Sequence, residues 1–479
     1  MRVNTQLDSE QLAAAVHLAL TNWHHLGEGD DDLLESLILV HVARESIEDW
    51  QNPLNRRKAT NAVLSRALDE LEEQDETGAL VLRERFIAGH ITRQVAGRLH
   101  ASPDQVNRWQ RSAIASLTQI LYSQERKLRD ARYEQLLAAV PISPYTQLFG
   151  LQEIGAEIGE QLLRDGEPYV VAIAGIGGIG KTSLADSVVR RIIPTLAFER
   201  VVWLRAGADP LGEPALTNED SWELLLASLL ESLDVSGVTL DERMERLAAA
   251  LRERPALVVI DNLEEETYTQ HVLAQARQLV DPSKFLLTTR ARPTVSAPAF
   301  FRSVEELPFN DAAALLQHHA QTIGSQALAA APEADYQAIF GVTGGNPLAL
   351  KLVAGLAAVL PLPQILASLA SSRPGPIEDM YRHIYWEAWR SLSQEGQSLL
   401  QAMPLVAVTG ALPEQMMAMS SLAEGDFWPA VTELFSRSLL EVRGDVRERR
   451  YSIHRLTETF LRTEIIDWPE EEEAGPPGQ

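Results

Sequence analysis

A run of glycines followed by lysine and threonine offers the clearest chemistry in this chain. Residues 175–182 read GIGGIGKT and fit the phosphate-cradling pattern GxxxxGK[ST]. Glycines at this spacing let backbone N–H groups turn toward phosphate oxygens, and the positive end of a following helix points to the same place. The pattern also supplies an ammonium for β and γ phosphates and a hydroxyl for Mg²⁺. The predicted phosphate-binding residues are Gly175, Ile176, Gly177, Gly178, Ile179, Gly180, Lys181, Thr182 and Ser183.

The elements around this run follow an alternating pattern. Residues 169–174 (YVVAIA) are apolar throughout, which predicts a strand buried on both faces that feeds a helix beginning near Lys181. Similar runs alternate downstream with segments of helical period, which predicts an α/β domain with a parallel sheet and helices on both faces. The runs are 200–205, 256–261 and 284–289, and the helical segments are 181–193, 220–233, 240–253 and 267–280.

Two charged residues at predicted strand ends are the catalytic candidates. Asp261 would hold Mg²⁺ through water, although strands often end in Asp for turn reasons. Arg290 would reach the γ-phosphate, although its spacing fits a surface arginine equally well. Asn262 follows Asp261, and an amide cannot accept a proton from attacking water. Glu264 and Glu265 could replace it as a base, or could cap the next helix, which is the commoner role.

The composition excludes several classes of protein. The chain has 479 residues, 45% hydrophobic and 23% charged, which predicts three or four globular domains. With no cysteine, disulfides, thiolate metal sites and cysteine nucleophiles are excluded. No apolar stretch is long enough to cross a bilayer, and the N-terminus lacks a signal pattern. We therefore expect a cytoplasmic protein without a membrane partner.

The chain divides by composition into six segments. A linker at 141–144 (PISP) separates an all-α N-terminal module from the nucleotide domain. After Pro308 the strands give way to helical spacing, and a short hairpin pattern at 438–442 and 451–453 suggests a winged helix. The predicted segments are an acidic helical segment at 1–78, a helix-turn-helix module at 79–140, the nucleotide-binding domain at 141–308, a helical domain at 309–375, a winged-helix domain at 376–466 and a disordered acidic tail at 467–479.

One segment alone is basic. The net charge of the chain is −25, yet residues 79–140 carry ten Lys and Arg against five Asp and Glu. A helix over 92–99 is followed by a break at 100–101 and by a second helix, where Ser102 is the cap, Pro103 the first helical residue and Gln105 completes a capping box. The alternating charges of 124–135 predict a solvated connecting helix.

The two helices of this module resemble the DNA-binding region four of sigma factors. Residues near the start of the second helix reach bases and phosphates in such a motif. The alternative is a plain helical bundle that contacts protein, because the acidic residues 1–78 would repel a duplex. The candidate DNA-binding residues are Arg93, Asn107, Arg108 and Arg111.

Six ordered motifs resemble one family. GIGGIGKTSLA, FERVVWL, LVVIDNLEE, FLLTTR, GGNPLAL and YSIHRL follow each other as in the NB-ARC branch of STAND ATPases, over about 145–466. The resemblance implies bound ATP or ADP with Mg²⁺, and slow hydrolysis because Asn262 stands beside Asp261. It implies that Pro347 and Leu348 lie at the adenine, and that His454 touches the β-phosphate of ADP. Phe149 and Gly150 would enter the nucleotide domain, followed by Leu151 where the family usually has Arg or Lys.

The resemblance predicts a signalling switch that is closed with ADP and open with ATP, and that forms a homo-oligomer on activation. The N-terminal module would act on DNA through 79–121 or recruit a protein. STAND proteins commonly carry a C-terminal repeat sensor, so we expect a sensor or effector subunit in trans, sensing by the N-terminal module, or a truncated sequence. The alternative is a P-loop ATPase that cycles continuously, such as a helicase loader or a transport motor.

Overall fold

The computed structural model describes most of the chain in two compact units. The described residues are 9–25, 33–47, 52–143, 145–206, 218–237, 239–279, 281–290, 299–371, 377–406, 410–444 and 449–466. The tail predicted to be disordered, 467–479, lies outside them. Unit 1 comprises Met1–Ala139 with Ile192–Glu199, and unit 2 comprises Val140–Arg191 with Arg200–Gln479.

Unit 1 is helical. Its elements are α1 Ser9–Thr21, α2 Ile38–Arg44, α3 Pro53–Gln74, α4 Glu76–Leu82, α5 Thr92–Arg98 and α6 Pro103–Ala138, with short turns of 3₁₀ helix at Leu33–Ser36 and Ile193–Thr195 and of π helix at Arg83–Ile87. One hydrophobic core joins side chains from Leu12 to Leu121. The boundary predicted at residue 78 therefore falls inside a shared core, because α4 packs on both α3 and α6.

The predicted connecting helix at 124–135 is the second half of α6 and is not solvated throughout. Glu125 is buried, and its two carboxylate oxygens accept hydrogen bonds from the backbone N–H groups of Ile38 and Leu39, each at 3.1 Å. The charge alternation predicted the helix correctly but not this buried carboxylate, because two of its partners are distant backbone groups.

Unit 2 contains a parallel sheet of five strands. The strands are β1 Val170–Ala174, β2 Arg200–Arg205, β3 Ala256–Leu263, β4 Lys284–Thr289 and β5 Ala299–Ser303. They lie in the order β2-β3-β4-β1-β5, all parallel. Four were predicted, and the five-residue edge strand β5 was missed. Because β4 lies between β1 and β3, the residues that follow these three strands meet at one edge.

The helices of unit 2 fall before, within and after the sheet. They are α7 Gln152–Leu163, α8 Lys181–Ile192, α9 Asn218–Ser232, α10 Leu240–Glu253, α11 Glu266–Ala276, α12 Phe309–Thr322, α13 Gln326–Ala329, α14 Glu333–Thr343, α15 Pro347–Ala357, α16 Leu362–Ser371, α17 Ile377–Arg390, α18 Gln394–Ala402, α19 Pro413–Ser420, α20 Glu424–Ser436 and α21 Arg455–Phe460, with a 3₁₀ turn at Met403–Val406 and a π turn at Leu461–Ile465. One core joins buried residues from Leu307 to Leu461, so the segments 309–375 and 376–466 share it.

The predicted hairpin exists with shifted limits. Strands β6 Glu441–Gly444 and β7 Arg449–Ser452 pair antiparallel, and Ala411 bridges to Tyr451. The first strand starts later than predicted because Ser438 has a left-handed backbone, φ +61°, which belongs to the turn after α20.

Candidate functional site

The phosphate loop, residues 175–180, joins β1 to α8 as the sequence predicted. Gly178 and Gly180 have left-handed backbones, with φ of +72° and +101°. A Cβ at Gly178 would lie 2.8 Å from Cβ of Leu348, so this position needs glycine for conformation and for space. Of the other predicted residues, Ile179 is buried in the loop, Ile176 is partly buried, and Ser183 lies in the first turn of α8.

Lys181 begins α8, and its ammonium lies over the loop. Nζ donates to the carbonyl oxygens of Gly175 and Ile176, at 2.7 and 2.9 Å. Burial, and then the Arg290 guanidinium, lower the pKa of Lys181 to about 8, while two nearby carboxylates act in the opposite direction. The amine therefore remains a cation at neutral pH, in the place where the pattern predicted a charge for phosphate.

Thr182 and Asp261 meet at the carboxyl edge of the sheet. The Thr182 hydroxyl donates to both carboxylate oxygens of Asp261, at 2.9 and 3.2 Å, and the Thr288 hydroxyl donates to one of them at 2.6 Å. Asp261 is only 5% exposed. A hydroxyl beside a carboxylate is a donor set that suits Mg²⁺. Among the described residues no cluster of His, Asp and Glu could hold a metal by itself, so a cation here would need phosphate and water ligands too.

Asn262 occupies a bulge in β3. The register between β3 and β4 shifts after Ile260, and Asn262 has φ +76°. Its backbone N–H donates to the Thr288 hydroxyl at 2.7 Å. Asparagine tolerates the left-handed region better than most residues, which gives a conformational reason for an amide beside Asp261.

Arg290 follows β4 and lies beside Glu264. Its Nε is 3.7 Å from Glu264 Oε1, while Glu264 Oε2 is 3.3 Å from Nη2 of Arg455. A Cβ on Gly177 would lie 3.6 Å from Nη2 of Arg290, so this guanidinium borders the phosphate loop. The sequence predicted that Glu264 would act as a base or as a helix cap, and these ion pairs are a different contact. Glu265 occupies the N-cap position of α11, without a side-chain cap bond.

The start of α15 contacts the phosphate loop directly. Asn346 caps this helix, accepting from Leu348 N at 3.0 Å, and its amide donates to Gly177 O at 3.2 Å. Leu348 N also lies 3.3 Å from Gly178 O. Pro347 occupies the first helical turn. The same residue, Asn346, thus caps α15 and contacts the phosphate loop.

Sequence reasoning missed Tyr381. This residue lies on α17, and its hydroxyl is 2.6 Å from Oδ1 of Asn346 and 3.3 Å from Gly177 O. No local motif marks it, because its partners are separated from it by 35 and 204 residues. It connects the segment 376–466 to the loop.

His454 is the N-cap of α21. Its Nδ1 accepts from Leu456 N at 3.1 Å, so the ring has a structural role in addition to any ligand contact. Leu456 in turn approaches the phosphate loop, since a Cβ at Gly177 would lie 3.4 Å from Leu456 Cδ1. The start of α21 therefore borders the loop.

Phe149, Gly150 and Leu151 enter the nucleotide domain just before α7. Gly150 has φ +65°, and a Cβ there would lie 2.9 Å from the Leu307 side chain. Phe149 lies against His318, with ring centroids 5.7 Å apart. Leu151, where a basic residue was expected, is 6% exposed, and its Cδ1 would lie 3.7 Å from a Cβ on Gly180. The position makes an apolar contact with the loop.

The two helices predicted for the helix-turn-helix are α5 and α6, which pack through Val95, Ala96 and Val106. The Ser102 hydroxyl accepts from Gln105 N at 3.2 Å, so the predicted cap exists. The four candidate DNA-binding side chains are exposed: Arg93, Asn107, Arg108 and Arg111.

These features define a P-loop nucleotide-binding domain, with a glycine loop after β1 and an acidic residue at the end of a nearby parallel strand. The model of the NB-ARC domain matches residues 152–322. The chain therefore carries an NB-ARC domain over these residues. None of the described helices is long and apolar enough to cross a membrane.

Known relatives include plant and bacterial proteins. Disease resistance protein RPV1 of Vitis rotundifolia is 26% identical over 304 residues, which are 58% of this chain and 20% of that protein. Regulatory protein AfsR of Streptomyces coelicolor is 30% identical over 194 residues, 39% of this chain and 18% of AfsR. The chain thus spans about a fifth of the length of these curated relatives.

Solved structures show weaker likeness. A STAND protein with a tetratricopeptide repeat sensor from Pyrococcus horikoshii is 19% identical, with a TM-score of 0.44 over 68% of this chain and 43% of that one. The Aeropyrum pernix ORC1 protein in complex with DNA is 14% identical, with a TM-score of 0.32 over 69% of this chain and 96% of that one. Both scores are low, so the assignment rests on the sequence match.

Proposed function

We propose that this chain is a nucleotide-dependent signalling switch, closed with ADP and open with ATP, that acts as a bacterial regulator or signalling scaffold. The observation that carries the proposal is the set of hydrogen bonds on the phosphate loop. Carbonyl oxygens of Gly177 and Gly178 accept from Asn346, Leu348 N and Tyr381, which belong to the segments 309–375 and 376–466.

These contacts favour a switch for a physical reason. A ligand shifts a conformational equilibrium only by the difference between its interactions in the two states. The N–H groups of a phosphate loop bind the phosphates, and here the carbonyls of the same loop accept hydrogen bonds from α15 and α17. Exchange of ADP for ATP would therefore change the free energy of docking of the downstream segments.

Each predicted ligand residue has a role in this proposal. Lys181 would hold the β and γ phosphates, and Thr182 with Asp261 would hold Mg²⁺, which neutralises phosphate charge. Pro347 and Leu348 would border the adenine, together with Phe149 and Gly150. His454 would touch the β-phosphate of ADP in the closed state, and Arg290 would meet the γ-phosphate. Hydrolysis would be slow because Asn262 cannot act as a general base.

The test measures bound nucleotide and turnover on the purified protein. Denatured protein should release ADP, and ATP hydrolysis should run well below the enzyme median of about 10 per second. Sustained turnover at or above that rate without a partner would overturn the switch in favour of a cycling ATPase. Well-folded protein that neither contains nor binds adenine nucleotide would overturn the site itself.

For the output we propose the module at 79–121, on DNA or on a protein. Exposed Arg93, Asn107, Arg108 and Arg111 support DNA, as they lie on helices of helix-turn-helix order. Binding of the full chain to random duplex DNA at two salt concentrations tests it, because phosphate contacts weaken steeply with salt. Absence of binding at low salt would leave recruitment of an effector protein. We also propose that activation takes place in the cytoplasm and forms homo-oligomers. The signal would reach the chain through a separate sensor or effector subunit or through the N-terminal module.

A further inference from the structure

Glu264 contacts two arginines from distant parts of the chain. It follows β3, and each of its carboxylate oxygens faces a different guanidinium: Oε1 lies 3.7 Å from Arg290 Nε, and Oε2 lies 3.3 Å from Arg455 Nη2. The three side chains are 31%, 35% and 32% exposed. One carboxylate therefore joins the edge of the sheet to the first residue of α21.

Cations outnumber carboxylates around this residue. Burial, and to a smaller extent the charges of Arg205 and Arg290, lower the pKa of Arg455, while Glu264 is the leading opposing influence. Lys181 is likewise under the field of Arg290. Without the Glu264 charge, the guanidiniums of Arg290 and Arg455 would repel each other beside the phosphate loop.

The position of Arg455 gives this pair a structural consequence. His454 before it caps α21, and Leu456 after it borders Gly177 of the phosphate loop. The ion pair between Glu264 and Arg455 thus links the start of α21 to the edge of the sheet, beside the phosphate loop.

We propose that Glu264 is a positioning residue that holds α21 against the nucleotide site through Arg455, while it also fixes Arg290. This assignment rests on the proposed function where it concerns nucleotide exchange. The contact between residues 264 and 455 belongs to the closed arrangement, so it slows ADP release and opposes opening. Glu264 acts here through other side chains and does not take a proton from water.

The experiment is a double-mutant cycle on the full chain. Glu264→Gln and Arg455→Gln should each speed the release of fluorescent ADP about three- to tenfold, as expected for a partly exposed ion pair. The double variant should be no faster than the faster single variant, because one interaction is lost only once. Glu264→Asp, which keeps the charge, should lie between wild type and Glu264→Gln. Glu265→Gln is the matched control and should release ADP like wild type.

A second readout does not depend on nucleotide. Hydrogen exchange of amides in 449–466 should be faster in Glu264→Gln than in Glu265→Gln, with or without ADP. Unchanged exchange and unchanged release, or strictly additive effects in the cycle, would overturn the inference. A Glu264→Gln variant that only slows ATP turnover would overturn it too and make Glu264 a base. If wild type binds no ADP, the proposed switch fails, and the exchange measurement alone still decides the role of Glu264.

Discussion

The phosphate-loop site and the α5–α6 surface use charge in opposite ways. At the loop, charged and polar groups contact partners far along the chain, such as Thr182 with Asp261, 79 residues apart. On α5 and α6 the candidate side chains are exposed, and Arg111 Nε donates locally to the carbonyl of Asn107 at 3.3 Å. The first arrangement couples ligand binding to tertiary structure, whereas the second leaves cations available to a partner.

The comparison predicts different responses to mutation. Replacement of a loop residue should change nucleotide exchange and the docking of distant segments together. Replacement of an exposed arginine on α5 or α6 should change partner binding and leave nucleotide exchange unaltered.

The largest effect is expected from Lys181→Ala. Loss of the ammonium over the loop should weaken ADP and ATP binding more than about 100-fold, because the cation that pairs with the phosphates is removed from a partly buried site. Calorimetric titration measures the nucleotide affinity. The control is Lys127→Ala, because Lys127 is an exposed lysine on α6. Affinity retained in Lys181→Ala would show that phosphate binds elsewhere.

His454 should have the next largest effect. Loss of a charge-assisted hydrogen bond of about 1.5–3 kcal/mol would speed ADP release about ten- to a hundredfold in His454→Ala. Because His454 also caps α21, this variant loses the cap as well.

His454→Asn separates the two roles of the residue. Asparagine is a good cap but is too short to replace the imidazole at the phosphate, so release should remain fast while stability recovers. Slow release in His454→Asn, measured by stopped flow, would reduce His454 to a cap.

Arg108→Ala tests the α5–α6 surface. An exposed phosphate contact removed from α6 should weaken DNA binding about five- to tenfold and lower the salt slope by about one. ADP release should stay at the wild-type rate. Fluorescence anisotropy measures DNA binding, and stopped flow measures ADP release. If DNA binding and ADP release change together, the two regions are coupled.

Tyr381→Phe removes one hydroxyl from the loop network. The lost bonds to Asn346 and Gly177, worth about 1 kcal/mol net, should speed ADP release about fivefold. Tyr336→Phe is the matched control, because that hydroxyl bonds to Leu328 O within the helical segment at 2.7 Å. Both variants should lose similar thermal stability, and equal effects on release would make Tyr381 merely structural.

The pKa of Lys181 gives the smallest predicted effect. With the pKa lowered to about 8, the unliganded amine loses its proton as pH rises through 8, whereas phosphate favours the protonated form. ADP affinity should therefore fall about fourfold between pH 7 and 8.5, with proton uptake on binding. Titrations in two buffers of different ionisation enthalpy detect this uptake. Lys181→Arg does not titrate there and should show no such fall; a wild type equally insensitive to pH would contradict the lowered pKa.

The sequence by itself determined the elements whose signals are local. The glycine run predicted the loop, apolar runs predicted β1 to β4, and Ser102 with Pro103 predicted the start of α6. These assignments succeeded because dihedral preferences, caps and burial periodicity act within a few residues. The NB-ARC match over 152–322 agrees with the order of the motifs.

Only the tertiary structure decided the partners across the nucleotide site. Tyr381 reaches Gly177 across 204 residues, and Glu264 joins Arg290 to Arg455, with no pattern in the sequence that links these positions. The strand order that places β4 between β1 and β3 was equally hidden. Such contacts depend on how separate elements pack, and packing is set by the whole core and not by the residues that happen to meet at the site.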